Sequence, residues 1–273
     1  MGGMTERETV ELGEVQRTLF FPLAARARET GKKRPLLRDQ KAVEIVASID
    51  FEQASFAMGP ASFMVTLRTL IFDWWVGQFL GEHPGGTVAE LGTGLNTRFE
   101  RTDNGTAGWI DLDLPDTIEL RRRYFTDTER RRMVAASLLD DDWLTTVGEL
   151  PGPYFFVSDG VLPYLTEEQV TGLLTRIAQR FPGAMIAFDT YTRASMAQEH
   201  KMAAKRNVAR WQWACDDPRS LERLGLTLVE SAAITRPPAG LRARLPVSYR
   251  YLLPLADPIF GKRGLAVNLF RAS

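Results

Sequence analysis

Between Thr87 and Asp113 the chain reads TVAELGTGLNTRFERTDNGTAGWIDLD, and no other stretch limits the fold as tightly. A short apolar run, Thr87-Val88-Ala89, leads through Glu90-Leu91 into Gly92-Thr93-Gly94, after which Leu95, Arg98 and Phe99 fall in a helical pattern. The glycines therefore sit at a strand-to-helix turn, where φ > 0 and close approach of a ligand to the backbone are both tolerated. A second strand, Gly108–Leu112, ends in Asp113, an acid placed to accept hydrogen bonds from both hydroxyls of a ribose. A glycine turn after one strand and an acid after the next predict a nucleotide-type site in an α/β fold.

The residues around the turn narrow the ligand. A pyrophosphate binder carries G-x-G-x-x-G, and the third position here is Thr97; no G-x-x-x-x-G-K-[ST] is present either. Glu90 at the end of the strand would repel a diphosphate. An ammonium suits that carboxylate, and S-adenosylmethionine (SAM), with adenosine, a sulfonium and an amino-acid tail, carries one. The other strand ends expected at the ligand edge are Gly92, Asp113, Ser137, Asp159 and Asp189, which again suit a neutral-to-cationic ligand better than a phosphate.

The rest of the chain sets the frame. Residues 8–30 predict helix, with Val10, Val15, Leu19, Leu23 and Ala27 at helical spacing and Pro22 suggesting a kink or break. Leu36–Ile49 and Ala61–Leu80 predict two more helices, and His83-Pro84-Gly85-Gly86 breaks the chain before the first strand. From Thr87 strands and helices alternate, the pattern of a parallel sheet with crossover helices. The expected strands are Thr87–Leu91, Gly108–Leu112, Met133–Ser137, Tyr154–Ser158, Ala184–Asp189, Leu224–Ser231 and Leu265–Phe270. Helices are expected after Pro115 and after Thr166, whose side chain suits an N-cap ahead of Glu167 and Glu168. Residues 1–82 are expected to form a helical lid and residues 87–273 the ligand-binding core of one domain.

With 273 residues and 44% hydrophobic content the chain can bury a full core. Lys+Arg and Asp+Glu balance at 34 each, which gives no electrostatic reason to expect nucleic acid or an anionic membrane as partner. Arg121-Arg122-Arg123 and Arg130-Arg131-Arg132 read as solvated helix faces. The single cysteine, Cys215, excludes an intrachain disulfide and a cysteine metal cage, and no other metal site is expected. The polar N-terminus and the lack of any long apolar run make a cytoplasmic protein the expectation. Oligomeric state has no signature here.

Three segments resemble a known family: L-G-T-G-L-N-T-R-F-E-R (Leu91–Arg101), D-L-D-L-P (Asp111–Pro115) and S-D-G-V-L-P-Y-L (Ser158–Leu165). They are similar to the leucine carboxyl methyltransferase family, and within it to the bacterial branch that includes the tetracenomycin-type polyketide O-methyltransferases. Phe20–Ala27 and the Arg68–Asp73 helix extend the likeness over nearly the whole chain. The resemblance implies a class I SAM-dependent methyltransferase, with a Rossmann-like seven-stranded sheet and an N-terminal helical lid. It implies that Arg68 pairs with the carboxylate of the methionine tail, that Gly92 and Gly94 pass under the ligand, and that Asp113 holds the ribose. Ser137 and Leu138 would touch adenine, and Asp159 would lie beside the ammonium. Two positions depart from the family pattern: Asn96 replaces the aspartate of G-L-D-T-R, and Asp159 replaces the glutamate of E-G-V-L-x-Y-L.

Methyl transfer from a sulfonium is an in-line displacement that rests mainly on alignment. An ionised carboxylate acceptor needs no base, whereas a phenol, with a pKa near 10, gains from one. Of the two histidines, His83 lies in the break before the first strand and His200 in a polar helical region, 196–214, that could face the acceptor. No catalytic residue is assigned. Tyr164, Tyr191, Trp211 and Trp213, with Phe20, Phe21 and Met58 from the lid, are candidates for an aromatic wall around a flat small-molecule acceptor. The expected activity is methyl transfer to a carboxylate or hydroxyl oxygen. An NAD(P)-dependent oxidoreductase and a non-catalytic SAM-binding protein are the alternatives.

Overall fold

Alternating side chains of Thr87–Leu91 (β1), Gly108–Asp113 (β2) and Tyr154–Ser158 (β4) are buried on both faces, as a parallel sheet covered by helices requires. Val88, Trp109, Phe155 and Val157 face one apolar layer, while Ala89, Ile110 and Phe156 face the other. The computed structural model describes residues 19–49, 59–206, 209–257 and 264–273. Val10, Val15 and Met58 lie outside the described residues. Arg131–Ala135 (β3), Met185–Thr190 (β5), Leu226–Ala233 (β6) and Ala266–Ala272 (β7) complete a seven-stranded sheet in the order β3-β2-β1-β4-β5-β7-β6. The first five strands are parallel, and β7 runs antiparallel to both neighbours. Alternation of strand and helix leads to a parallel sheet, and the reversal of β7 departs from it.

Three helices precede the sheet: Phe20–Thr30 (α1), Gln40–Ser48 (α2) and Pro60–Glu82 (α3). Pro22 does not break α1; it sits in the first turn, where its missing N–H is harmless. Asp39 starts α2 by accepting the Ala42 N–H at 2.9 Å. Arg98–Thr102 (α4), Pro115–Arg121 (α5), Asp142–Gly148 (α6) and Glu167–Arg180 (α7) are the crossover helices. Thr166 and Gln169 close a capping box at α7, as that N-terminus predicts. Arg193–Arg206 (α8), Ala239–Arg244 (α9) and Val247–Leu255 (α10) connect the remaining strands. Among the described residues no helix is long and apolar enough to cross a membrane.

The arginine triplets are solvated only in part: Arg122 and Arg123 are exposed, but one member of each triplet is not. Arg121 and Arg131 are buried and grip Asp111 of β2, at 3.0 and 2.7 Å, while Thr93 donates to the same carboxylate at 2.9 Å. Arg131 also holds Glu100 at 2.6 Å. The third strand starts two residues earlier than its apolar pattern suggests, because Arg131 and Arg132 belong to it and not to a helix. Burial pushes the Asp111 carboxyl up, but Arg121 and Arg131 outweigh it and hold it below the ordinary carboxylate range. Ionised Asp111 thus favours the fold, and that contribution fades as pH drops below about 4. Urea unfolding from about pH 7 to about pH 3 is expected to show falling stability, with a shallower fall in Asp111→Asn. Equal slopes in the two proteins would remove Asp111 from the acid response.

Candidate active site

The loop between β1 and α4 turns at the sheet's carboxyl edge. Gly92 and Thr93 donate their N–H groups to the Leu112 carbonyl, at 2.8 and 3.0 Å, pinning the loop across the end of β2. Gly92 has φ 72°. A Cβ there would also come within 2.5 Å of Val161, so both backbone and space demand glycine. Gly94 donates its N–H to Asp113 Oδ2 at 2.7 Å, and Leu114 N–H donates to Oδ1 at 2.8 Å. Asp113 does not cap α5, whose N-cap is Leu114. Each carboxylate oxygen keeps a lone pair, and burial pushes this half-buried carboxyl up.

Behind the loop lies a chain of buried ion pairs. Arg98, at the start of α4, is 1% exposed and has a carboxylate at every nitrogen. Its Nε donates to Asp73 at 2.8 Å, Nη1 to Glu90 at 2.5 and 2.7 Å, and Nη2 to Asp159 at 3.0 Å. Arg68, on α3, continues the chain. Its Nη1 donates to Asp189 at 3.0 Å and to the Tyr191 hydroxyl at 2.9 Å. Its Nε lies 2.7 Å from Asp159 Oδ1. That last contact is ionic only, since neither atom has a hydrogen-bond partner of acceptable angle. Asp189 also accepts the Gly160 N–H at 2.7 Å, and a Cβ at Gly160 would press on Arg68 Nη2 at 2.9 Å. On the other side Asp73 accepts from Arg101 at 2.7 Å. Arg101 also reaches Asp39 at 2.9 Å, and Arg26 of α1 reaches the same Asp39 at 2.8 Å. Arg26 donates as well to the Leu95 carbonyl at 3.1 Å, tying α1 to the glycine loop.

Arg68 therefore does not snorkel to solvent, and Asp159 does not cap a turn. Burial pushes Asp159 up, but Arg68 and Arg98 hold it well below the ordinary range. Glu90 does not stand open at the edge; it is fully engaged by Arg98. Thr97, where a dinucleotide site has glycine, donates through its hydroxyl to Asp39 and accepts from Arg101 at 2.6 Å. Ser137 follows β3 in a turn, half-buried, and Leu138 is buried in the core. The residues missed by sequence are Asp39, Asp73, Arg98 and Arg101. A hint was present only in Asp73, a charged side chain on a helix, α3, whose other positions are largely apolar.

The aromatic candidates separate. Tyr191 is buried, and its ring lies 4.0 Å from half-buried Trp211. Trp213 packs on the opposite sheet face beside Phe188, 6.4 Å between ring centres, so it is core and not wall. Phe20 is likewise core, packed with Leu23, Ile45 and Ile118, while Phe21 is half-buried. Tyr164 is half-buried in a 3-10 turn, its carbonyl accepting from Gln212 at 2.8 Å. His200 Nε2 lies 2.6 Å from the Trp211 carbonyl.

This edge combines a glycine turn, an acid with free lone pairs and, beside them, an arginine and a carboxylate whose facing atoms are buried without a well-angled partner. Such a donor set suits a zwitterionic amino-acid head joined to a nucleoside, and it suits a diphosphate poorly. A Thermobifida fusca protein assigned to the methyltransferases has the same fold, with a TM-score of 0.61 at 18% identity, covering 92% of this chain and 94% of that one. A tetracenomycin polyketide synthesis O-methyltransferase, TcmP of Streptomyces glaucescens, is 34% identical over 218 residues, 79% of this chain and 80% of the relative. An SAM-dependent methyltransferase of Gibberella zeae, dpfgK, is 29% identical over 244 residues, 81% and 82% of the two chains. Fold, edge and relatives define an SAM-dependent methyltransferase, which sets aside the NAD(P) oxidoreductase and the non-catalytic binder. Residues 20–178 match the leucine carboxyl methyltransferase family, and the chain belongs to it.

Proposed function

We propose that the enzyme methylates a carboxylate or hydroxyl oxygen of a small molecule, a polyketide or related secondary metabolite. The observation that carries this reading is the identity with the polyketide O-methyltransferase across four-fifths of both chains. In this reading Asp113 accepts from the ribose hydroxyls, Gly92 and Gly94 let the nucleoside lie against the backbone, and Ser137 and Leu138 flank the adenine. Arg68 takes the methionine carboxylate, a task for its planar fork, and Asp159 takes the ammonium while Arg98 and Glu90 hold it in place. Within residues 1–82, the described helices α1, α2 and α3 close over the site as a lid on a single domain. When bound, SAM supplies a methyl group on a cationic sulfur.

The chain's remaining task is to hold an acceptor oxygen in line with that methyl and to exclude water. Tyr191 and Trp211, with Tyr164 nearby in sequence to the donor edge, offer an aromatic wall for a flat acceptor. Burial, followed by the Asp189 charge, pushes the Tyr191 hydroxyl well above its ordinary pKa, so it stays protonated and orients rather than abstracts. The contact of His200 with a backbone carbonyl leaves it placed as a structural group. Both features favour an acceptor that arrives ionised. A panel of aromatic acids and phenols, incubated with enzyme and methyl-labelled SAM, tests the reading. Label recovered as an alkali-labile ester marks a carboxylate acceptor and as an alkali-stable ether a hydroxyl. Label only on nitrogen or carbon would refute oxygen transfer.

A further inference from the structure

The ion-pair chain behind the glycine loop is unbalanced. Among the described residues it contains the cations Arg26, Arg68, Arg98 and Arg101. Against them stand the carboxylates Asp39, Asp73, Glu90, Asp159 and Asp189. The links are continuous from α1 to β5, so the groups share one environment with, among the described residues, one carboxylate in excess. The nearest other cluster does not make up the difference, because Arg121 and Arg131 are matched there by Asp111 and Glu100. Asp113, at the lip of the same edge, adds to the negative side. Tyr191, Asn96 and the Gly160 N–H, the other polar groups facing Asp189 and Glu90, carry no positive charge.

A buried carboxylate without a counter-charge takes up a proton instead. SAM carries two positive groups and one negative, a net charge of +1, whereas its demethylated product (SAH) carries one of each. We infer that this site takes in the cationic donor in exchange for one proton released to solvent, and that this exchange makes it discriminate SAM from the neutral product. The inference rests on the reading of this edge as the donor site. Burial pushes Asp189 and Glu90 up despite Arg68 and Arg98, so these are the two members of the set to substitute. The two titrate as members of one coupled set, not as separate residues. Product formation then restores the charge deficit, the proton returns, and the hold on the product weakens.

Calorimetric titration of the whole protein with SAM and with SAH, in phosphate and in Tris at one pH, counts the protons exchanged. Release close to one proton per SAM and none per SAH is expected. The preference for SAM over SAH should rise with pH, by up to about tenfold per unit in the range below the set's apparent pKa, and level off above it. Asp189→Asn, which keeps an acceptor for the Gly160 N–H, should abolish most of the release and narrow the preference. Glu90→Gln serves the same purpose if the first variant does not give a cooperative melt. Equal proton counts for SAM and SAH, or a preference independent of pH, would overturn the inference. Binding of neither ligand would instead bring down the donor-site reading beneath it.

Discussion

Arg98→Ala is expected to destabilise the fold by about 3–5 kcal/mol, a large part of the total for a domain of this kind. The guanidinium occupies the point where Asp73, Glu90 and Asp159 converge, and it is closed off from water. Removing it leaves three carboxylates facing one another in a low-dielectric interior: Glu90 loses its main counter-charge, while Asp73 keeps only Arg101 and Asp159 only Arg68. Much of the effect is therefore the cost of stranding acids rather than the value of the pairs. Arg98→Lys should recover only part of the loss, since one ammonium cannot meet carboxylates on three edges of a plane. Urea denaturation followed by circular dichroism measures both. A midpoint within error of the parent for Arg98→Ala would show that the acids discharge independently, and the chain would lose its central member.

Asp113→Ala is expected to leave the fold intact and weaken SAM binding by more than tenfold, with a loss of about 1.5–3 kcal/mol for hydrogen bonds to a charged acceptor. Its partners in the protein are two backbone N–H groups at the rim, and no helix cap is lost. The variant therefore separates ligand contact from architecture in a way that Arg98 cannot. Calorimetry with SAM reads the affinity, and a thermal melt reads the fold. Unchanged affinity would reduce Asp113 to a brace for Gly94.

What could be read from sequence follows from range. The β1 turn, β2 and Asp113 are legible because alternation, glycine and a terminal acid lie within one short stretch. The Thr166 cap is legible for the same reason. The third strand is misplaced because Arg131 and Arg132 look like a wet surface until Asp111, a strand away, is known to face Arg131. Asp39, Asp73, Arg98 and Arg101 each look like ordinary surface charges, and only the packing of α1, α2 and α3 against the loop brings them together. Trp211 and Trp213 are two residues apart and end on opposite faces of the sheet, a division no local pattern announces.

The insertion of β7 between β5 and β6 has a consequence for how the chain reaches this state. Its pairing partners lie about 80 and 40 positions earlier along the backbone. Until that strand arrives, β5 presents an unsatisfied row of amides, the kind of margin that recruits foreign strands. Asp189 and Tyr191 sit on or just beyond that margin, so half of the grip on Arg68 matures only when the most distant pairing in the sheet closes. Contact order thus places the edge carrying Asp189 and Tyr191 among the last expected to close, which ties this end of the ion-pair chain to completion of the sheet.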